Sequence, residues 1–171
     1  MTKKLSLIPL LTLALIFTSC GMGSGNNSAT HDEGVVINGV RWATRNVVNL
    51  ERVSGFFTFD EAQNACPQGW RLPTKQELQS LVDAGSRWRT RNGVNGRLFG
   101  RGRNQLFLPA AGLRDTRGVH FGLGCRAHYW SSTAYSPSHG WNLNFNSRRD
   151  SGVYTDADNR DLGFSVRCVA K

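Results

Sequence analysis

A thiol, two imidazoles and a scatter of carboxylates are the groups in this 171-residue sequence whose chemistry could go beyond folding. Cys125 stands in the run Gly124-Cys125-Arg126-Ala127-His128, with His120 a little before it. A cysteine near a histidine has the composition of a nucleophile and its base, or of half a metal site. No third group nearby orients the base or completes a ligand set, so neither catalysis nor a metal or other cofactor is expected. Asp150, Asp156, Asp158 and Asp161 are hard oxygen donors of the sort calcium takes, but they lack the spacing of an EF-hand loop. Six arginines fall between Arg87 and Arg103 with no acid among them. Such a run is a footprint for nucleic acid or an anionic glycan, or else a solvated, Gly-rich surface loop, and the second reading is preferred.

The N-terminus bears on which of these chemistries is open. Lys3 and Lys4 precede an apolar run from Leu5 to Phe17, too short to span a bilayer comfortably, which is the pattern of a secretory signal. The stretch Leu15-Ile16-Phe17-Thr18-Ser19-Cys20-Gly21 resembles a bacterial lipobox, and that resemblance implies cleavage before Cys20 and its lipidation. The expected organisation is a signal over residues 1–19, a lipidated Gly/Ser/Asn-rich tether over 20–34 and a folded domain over 35–171. The expected location is the outer membrane, facing the periplasm or the cell surface. Bacteroidetes-type lipoproteins bound for the surface usually carry acidic residues right after the lipidated cysteine, whereas Asp32 and Glu33 come later here. The formal charge of +9 falls by two when Lys3 and Lys4 leave with the signal. A secreted protein has little occasion to meet nucleic acid, so none is expected as a partner.

The elements that must position these groups are legible in outline. Residues 35–46 read as a β-hairpin turning at Asn38-Gly39, with Trp42 facing inward. Thr58-Phe59-Asp60-Glu61 is a capping box opening a short helix through Ala65, and Thr74-Lys75-Gln76-Glu77 is a second one. Leu78, Leu81 and Val82 give the second helix an apolar stripe before Gly85 stops it. Short strand-like runs follow at residues 106–108, 129–131, 141–145 and 164–169. Within 141–145, Trp141, Leu143 and Phe145 are expected in the core, with Asn142 and Asn144 facing out. Helices early and short strands late predict an α+β domain.

Four motifs in order carry a family resemblance: Cys66-Pro67-Gln68-Gly69-Trp70-Arg71-Leu72-Pro73-Thr74, Leu108-Pro109-Ala110-Ala111-Gly112, Tyr129-Trp130-Ser131-Ser132-Thr133 and Gly163-Phe164-Ser165-Val166-Arg167-Cys168. Together they resemble the Fibrobacter succinogenes major paralogous domain of secreted lipoproteins. The resemblance implies a C-type lectin-like fold, with two short helices early and a short-stranded antiparallel sheet. In an oxidising compartment two of the three remaining cysteines should pair, and sequence alone does not choose them. The resemblance implies the pair Cys66–Cys168, leaving Cys125 free. Calcium-dependent sugar binding in C-type lectins uses a Glu-Pro-Asn loop, which is absent, and a Trp-Asn-Asp strand, of which Trp141-Asn142-Leu143 keeps two residues.

The last third of the chain has a restricted alphabet. Residues 106–170 contain no Lys, Glu, Gln or Met. Strand-and-turn composition is one cause, since such segments favour Asp, Asn, Ser and Gly. A second comes from a resemblance to the variable regions of proteins diversified by a retroelement, in which asparagine codons mutated at adenine never yield Lys, Glu, Gln, Met or Trp. The irregular positions Phe121, Cys125, Arg126, His128, His139, Arg148, Arg149, Asp150, Ser151, Val153, Tyr154, Thr155, Asp156, Ala157, Asp158, Asp161 and Leu162 all lie within that alphabet. They are the candidate ligand-binding surface, with Tyr154, Arg148, Arg149, Phe121 and His139 as first anchors. The expectation is a membrane-anchored binding module for a protein or glycan ligand, not an enzyme. The competing readings are a relative of formylglycine-generating enzymes, which need an active-site cysteine pair, and a structural envelope protein.

Overall fold

In the computed structural model, the described residues are 32–48, 55–148 and 152–171. The signal, Cys20 and most of the tether lie outside them, as do Arg149, Asp150 and Ser151 of the candidate surface. The first hairpin pairs β1 (Val35–Ile37) with β2 (Val40–Trp42). Asn38 and Gly39 take φ of 48° and 79°, the left-handed pair that lets a two-residue turn follow strand twist. Trp42 is fully buried, as its place in the pattern predicts.

Both capping boxes form. Thr58 caps α1 (Phe59–Ala62) and Thr74 caps α2 (Lys75–Asp83), each with the glutamate three residues on returning a bond to the cap backbone. The first helix stops at Ala62, short of the expected Ala65. Ala65 N–H turns back to the Ala62 carbonyl, and the chain leaves the helix axis toward Cys66. Cys66 is bonded to Cys168 across a sequence separation of 102, with the two Cα atoms 5.9 Å apart. A bridge closing so long a loop contributes on the order of 4 kcal/mol by chain entropy. Beside it, β3 (Trp70–Arg71) pairs with β12 (Val169–Ala170), which also pairs with β2.

The arginine run corrects one expectation. It is no loop but a three-stranded antiparallel sheet of β4 (Ser86–Arg91), β5 (Val94–Arg101) and β6 (Asn104–Pro109). A second Asn-Gly turn, Asn92-Gly93 at φ 49° and 76°, joins the first two strands. Leu98, Phe99, Leu106 and Leu108 are buried in the core, and Arg97 is buried with them.

A small pair, β7 (Leu113–Arg114) with β8 (His120–Phe121), precedes the longest strands: β9 (Arg126–Ala134), β10 (His139–Asn146) and β11 (Val153–Asn159). These three form one antiparallel sheet with β10 in the centre. Thus much of the segment read as irregular is a strand, β11. Conversely, residues 164–168, expected as strand, run extended with only isolated bridges, such as Phe57 to Phe164 and Tyr129 to Ser165. Only Val169 and Ala170 join a ladder. The architecture is mostly β, with two short helices and four small antiparallel sheets among the described residues, where a single sheet was expected.

The extended 164–168 segment explains a further correction. Phe164 stacks on Trp130 at 4.2 Å between ring centroids, and Phe59 meets the Trp130 edge at 5.4 Å. These rings cover part of the second face of the β9–β11 sheet around Trp130, and Asn142, its cross-strand partner, expected outside, is fully buried. Trp141 is only half-buried, with the Lys75 ammonium 3.6 Å above its ring and the exposed Tyr135 against its edge. Leu143 and Phe145 lie in the core as expected.

Candidate functional site

The β9–β11 sheet has one face that is core throughout and a second that is core only in part. On the first, Ala127, Phe145 and Val153 stand in one cross-strand row, and Tyr129, Leu143 and Thr155 in the next. These rows pack with α2 and the β4–β6 sheet in one apolar cluster. Thr155 donates to Gln79 Oε1 at 3.1 Å, fixing the strand to the helix. On the second face the next residue along each strand gives the row His128, Asn144 and Tyr154. There the cover of Phe164 ends and a cleft of about 350 Å³ opens. Cys125, Arg126, His128, Asn144, Asn146, Ser147, Arg148 and Tyr154 line it.

Local interactions fix each wall. Glycines at 122 and 124, at φ 70° and 73°, bend the chain before β9. Gly124 is held by its N–H to the Ala110 carbonyl at 2.7 Å and by its carbonyl accepting from Asn95 Nδ2 at 3.1 Å. Cys125 is exposed with a free thiol, and its carbonyl accepts from Ser147 N–H at 3.1 Å. The turn after β10 is clamped from beneath by Arg97, which is 3 % exposed. Its Nε donates to the Asn146 carbonyl at 3.1 Å, its Nη2 to the Arg148 carbonyl and its Nη1 to Ser86 Oγ at 3.1 Å. Burial pulls the Arg97 guanidinium pKa down, though guanidinium stays charged at any ordinary pH. Glycine at 152 is required here, because a Cβ would sit 2.7 Å from the Arg148 carbonyl and 2.9 Å from Arg97 Nη2.

The floor of the cleft holds the most unusual groups. His128 is 6 % exposed and lies 4.6 Å from Phe164, ring centroid to centroid. Among the described residues, neither of its ring nitrogens has a hydrogen-bond partner. Its Nδ1 is 3.7 Å from Asp158 Oδ2, too far for a hydrogen bond and close enough for charge attraction. The His128 ring holds the Asp158 carboxyl below its usual range, with burial opposing and the Asn142 amide assisting. Asn142 Nδ2 donates to Asp158 Oδ2 at 2.9 Å and to the Asp156 carbonyl at 3.1 Å, leaving its Oδ1 without a partner.

Of the expected surface, Cys125, Arg126, His128, Arg148 and Tyr154 meet in this one cleft. Asp156 is exposed farther along β11, and Asp158 flanks the His128 floor. Phe121, 45 % exposed, lies on β8 opposite Leu113 and is not among the residues that line the cleft. His139 begins β10 at its opposite end, with Nδ1 2.9 Å from Ser138 Oγ. Asp161 is exposed in the turn after β11. Val153, Thr155 and Leu162 are half-buried. Val153 packs on one apolar cluster, Leu162 on the other, and Thr155 is engaged by α2. Ala157, half-buried, pairs with Trp141 on the α2 side. For Val153, Thr155 and Ala157 the reason is the two-residue period of β11, which sends neighbours to opposite faces, whereas Leu162 lies beyond the strand in the turn that follows it. Sequence reading missed Asn144, Asn146 and Ser147, although the same alternation that put Phe145 inward puts Asn144 and Asn146 on the other face.

Two other hollows belong to the scaffold. One of about 430 Å³ is lined by Arg45, Asn46, Arg91, Phe107 and Arg167 among others. Arg167, 2 % exposed, donates to Asn46 Oδ1 from Nε at 2.9 Å and Nη2 at 2.6 Å, and to the Ala43 carbonyl at 2.9 Å. Asn46 in turn donates to Tyr129 Oη, whose proton goes to the Pro109 carbonyl, and burial pushes the phenol pKa up to about 12. The other, about 280 Å³, is largely apolar and borders Trp70, Pro67 and Cys168. Among the described residues no three His, Cys, Asp or Glu side chains cluster as metal ligands would.

No curated protein and no solved structure matches the chain. A family model does, over residues 29–170, and it spans both capped helices, the disulfide and the whole cleft. The chain belongs to the family described as the Lcl C-terminal domain.

Proposed function

We propose that the chain is a lipid-anchored, extracytoplasmic binding module of C-type lectin-like fold, related to the Fibrobacter succinogenes major paralogous domain, which engages a protein or glycan ligand through the cleft at Tyr154. The observation that carries this reading is the convergence of Cys125, Arg126, His128, Arg148 and Tyr154 on one cleft built over a rigid sheet. Exposed aromatic, arginine and small polar side chains held by a fixed framework are what recognition surfaces are made of. The non-enzymatic reading is supported by Cys66 and Cys168 being bonded to each other, and so not free as an active-site pair. A lipid on Cys20 would tether the domain at the outer membrane. Retroelement diversification fits the restricted alphabet of the cleft residues, each of which it can generate.

Binding of the full chain to a panel of immobilised glycans and envelope proteins tests the reading. Expected is at least one hit that Tyr154→Ala with Arg148→Ala weakens about tenfold or more, equivalent to ~1.4 kcal/mol. A hit indifferent to those changes and lost on changes elsewhere overturns the site. Diversification has its own test in gene copies from a population. Adenine-site differences should concentrate at Arg126, Arg148 and Tyr154 while Leu143 and Phe145 stay fixed; even drift across the domain sinks it.

A further inference from the structure

We infer that Cys125 is a site of reversible mixed-disulfide formation with small disulfides that carry carboxylates, such as cystine or oxidised glutathione. Its thiol is free and exposed on the wall of the 350 Å³ cleft, so a reagent can approach it. Arg126 and Arg148, both exposed, line the same cleft, and among the described residues no carboxylate does. Arginine binds carboxylates through paired N–H donors, so a carboxylate-bearing disulfide entering here meets two guanidinium-bearing side chains on the same cleft. A second, independent feature also points to a ligand: the His128 ring, 6 % exposed, lines the cleft, its Nδ1 facing Asp158 at 3.7 Å and its Nε2 without a hydrogen-bond partner among the described residues. The Cys66–Cys168 bridge fits an oxidising compartment, where an accessible thiol is open to exchange with disulfides.

The step balances without a further reagent. The Cys125 thiol gives its proton to solvent, and the thiolate attacks one sulfur of the small disulfide. A bond forms between Cys125 Sγ and that sulfur, the reagent's own S–S bond breaks, and the departing thiolate takes up a proton. The Cys125 sulfur is oxidised and the released half of the reagent is reduced. The adduct then fills the cleft, so thiol–disulfide status decides whether the cleft is open to any other ligand. This inference rests on the cleft's geometry and does not depend on the binding function proposed above.

The test is intact-mass kinetics of the full chain with oxidised glutathione and, in parallel, with the cationic disulfide cystamine. The ratio of the two initial rates is normalised to that of the chain unfolded in urea, which removes the intrinsic reactivity of the reagents. The expected normalised ratio is about five or more in favour of glutathione, falling toward one in R126Q/R148Q and in high salt. C125S should show no adduct, with the Cys66–Cys168 bridge intact. A normalised ratio of one, a ratio unchanged in the double variant, or the absence of any adduct overturns the proposal. Should the double variant fold poorly, R126Q and R148Q singly decide the matter, each being expected to lower the ratio part of the way.

Discussion

The two faces of the β9–β11 sheet differ by a single step along each strand, and that step separates scaffold from surface. Leu143 and Phe145 are fully buried, whereas Asn144 between them opens on the cleft. Val153 and Thr155 lock to the core and to α2, whereas Tyr154 between them is 43 % exposed. A strand can therefore combine fixed and replaceable positions within one short run, because its side chains alternate faces. Strictly, the second face is divided again. Phe164 covers it over Trp130 and His128, and the cleft opens beside His128.

The largest effect should come from the inner face. Phe145 stacks on Tyr129 at 6.0 Å and meets Phe99 and Trp88 edge-on, so Phe145→Ala should lower the unfolding free energy by about 3–5 kcal/mol in urea titration. A loss under ~1 kcal/mol would mean this face is not the core. Next is the clamp beneath the cleft. Arg97→Met keeps the stem but leaves the Asn146 and Arg148 carbonyls without their donor, at about 1–3 kcal/mol, with faster amide exchange confined to the turn after β10. Exchange rising evenly over the sheet would show that Arg97 supports the fold and not the turn.

Those two positions also show what was legible beforehand. Phe145 follows from alternation in Trp141-Asn142-Leu143-Asn144-Phe145, a local pattern, and both capping boxes were equally local. Arg97 was hidden because charge drew attention away from the Asn92-Gly93 turn, whose twin at Asn38-Gly39 was recognised. Asn142 could not be foreseen, because its burial depends on long-range partners: Trp130 opposite it on β9, on which Phe164 stacks, and Asp156 and Asp158 of β11, which hold its amide. The cleft was legible as a set of residue types but not as a place. Which of those types face out depends on the register of β10 with β11, and Val153, Thr155 and Ala157 fall inward, while Leu162, past the end of β11, packs on the second apolar cluster.

A smaller effect is pH-dependent. The Asp158 carboxyl is held below its usual range by His128 and Asn142, so its contribution to stability is fully present above the unfolded value of about 4. It is lost as pH falls through the lower folded value. Asp158→Asn should therefore flatten the acid limb of the stability curve below about pH 4 and leave the curve near neutrality parallel to that of the parent chain. An unchanged acid limb would show that the His128–Asp158 pair is not linked to folding.

The smallest effects belong to the outer row, and they test the division of labour most directly. A displayed library would vary Arg126, Asn144, Arg148, Tyr154 and Asp156 on one side, and Leu143, Phe145 and Val153 on the other, and be sorted for resistance to protease. The account predicts broad tolerance at the first set, with stability changes within about 0.5 kcal/mol, and strong depletion of polar residues at the second. Equal depletion at both sets, with no alternation along β11, would contradict it.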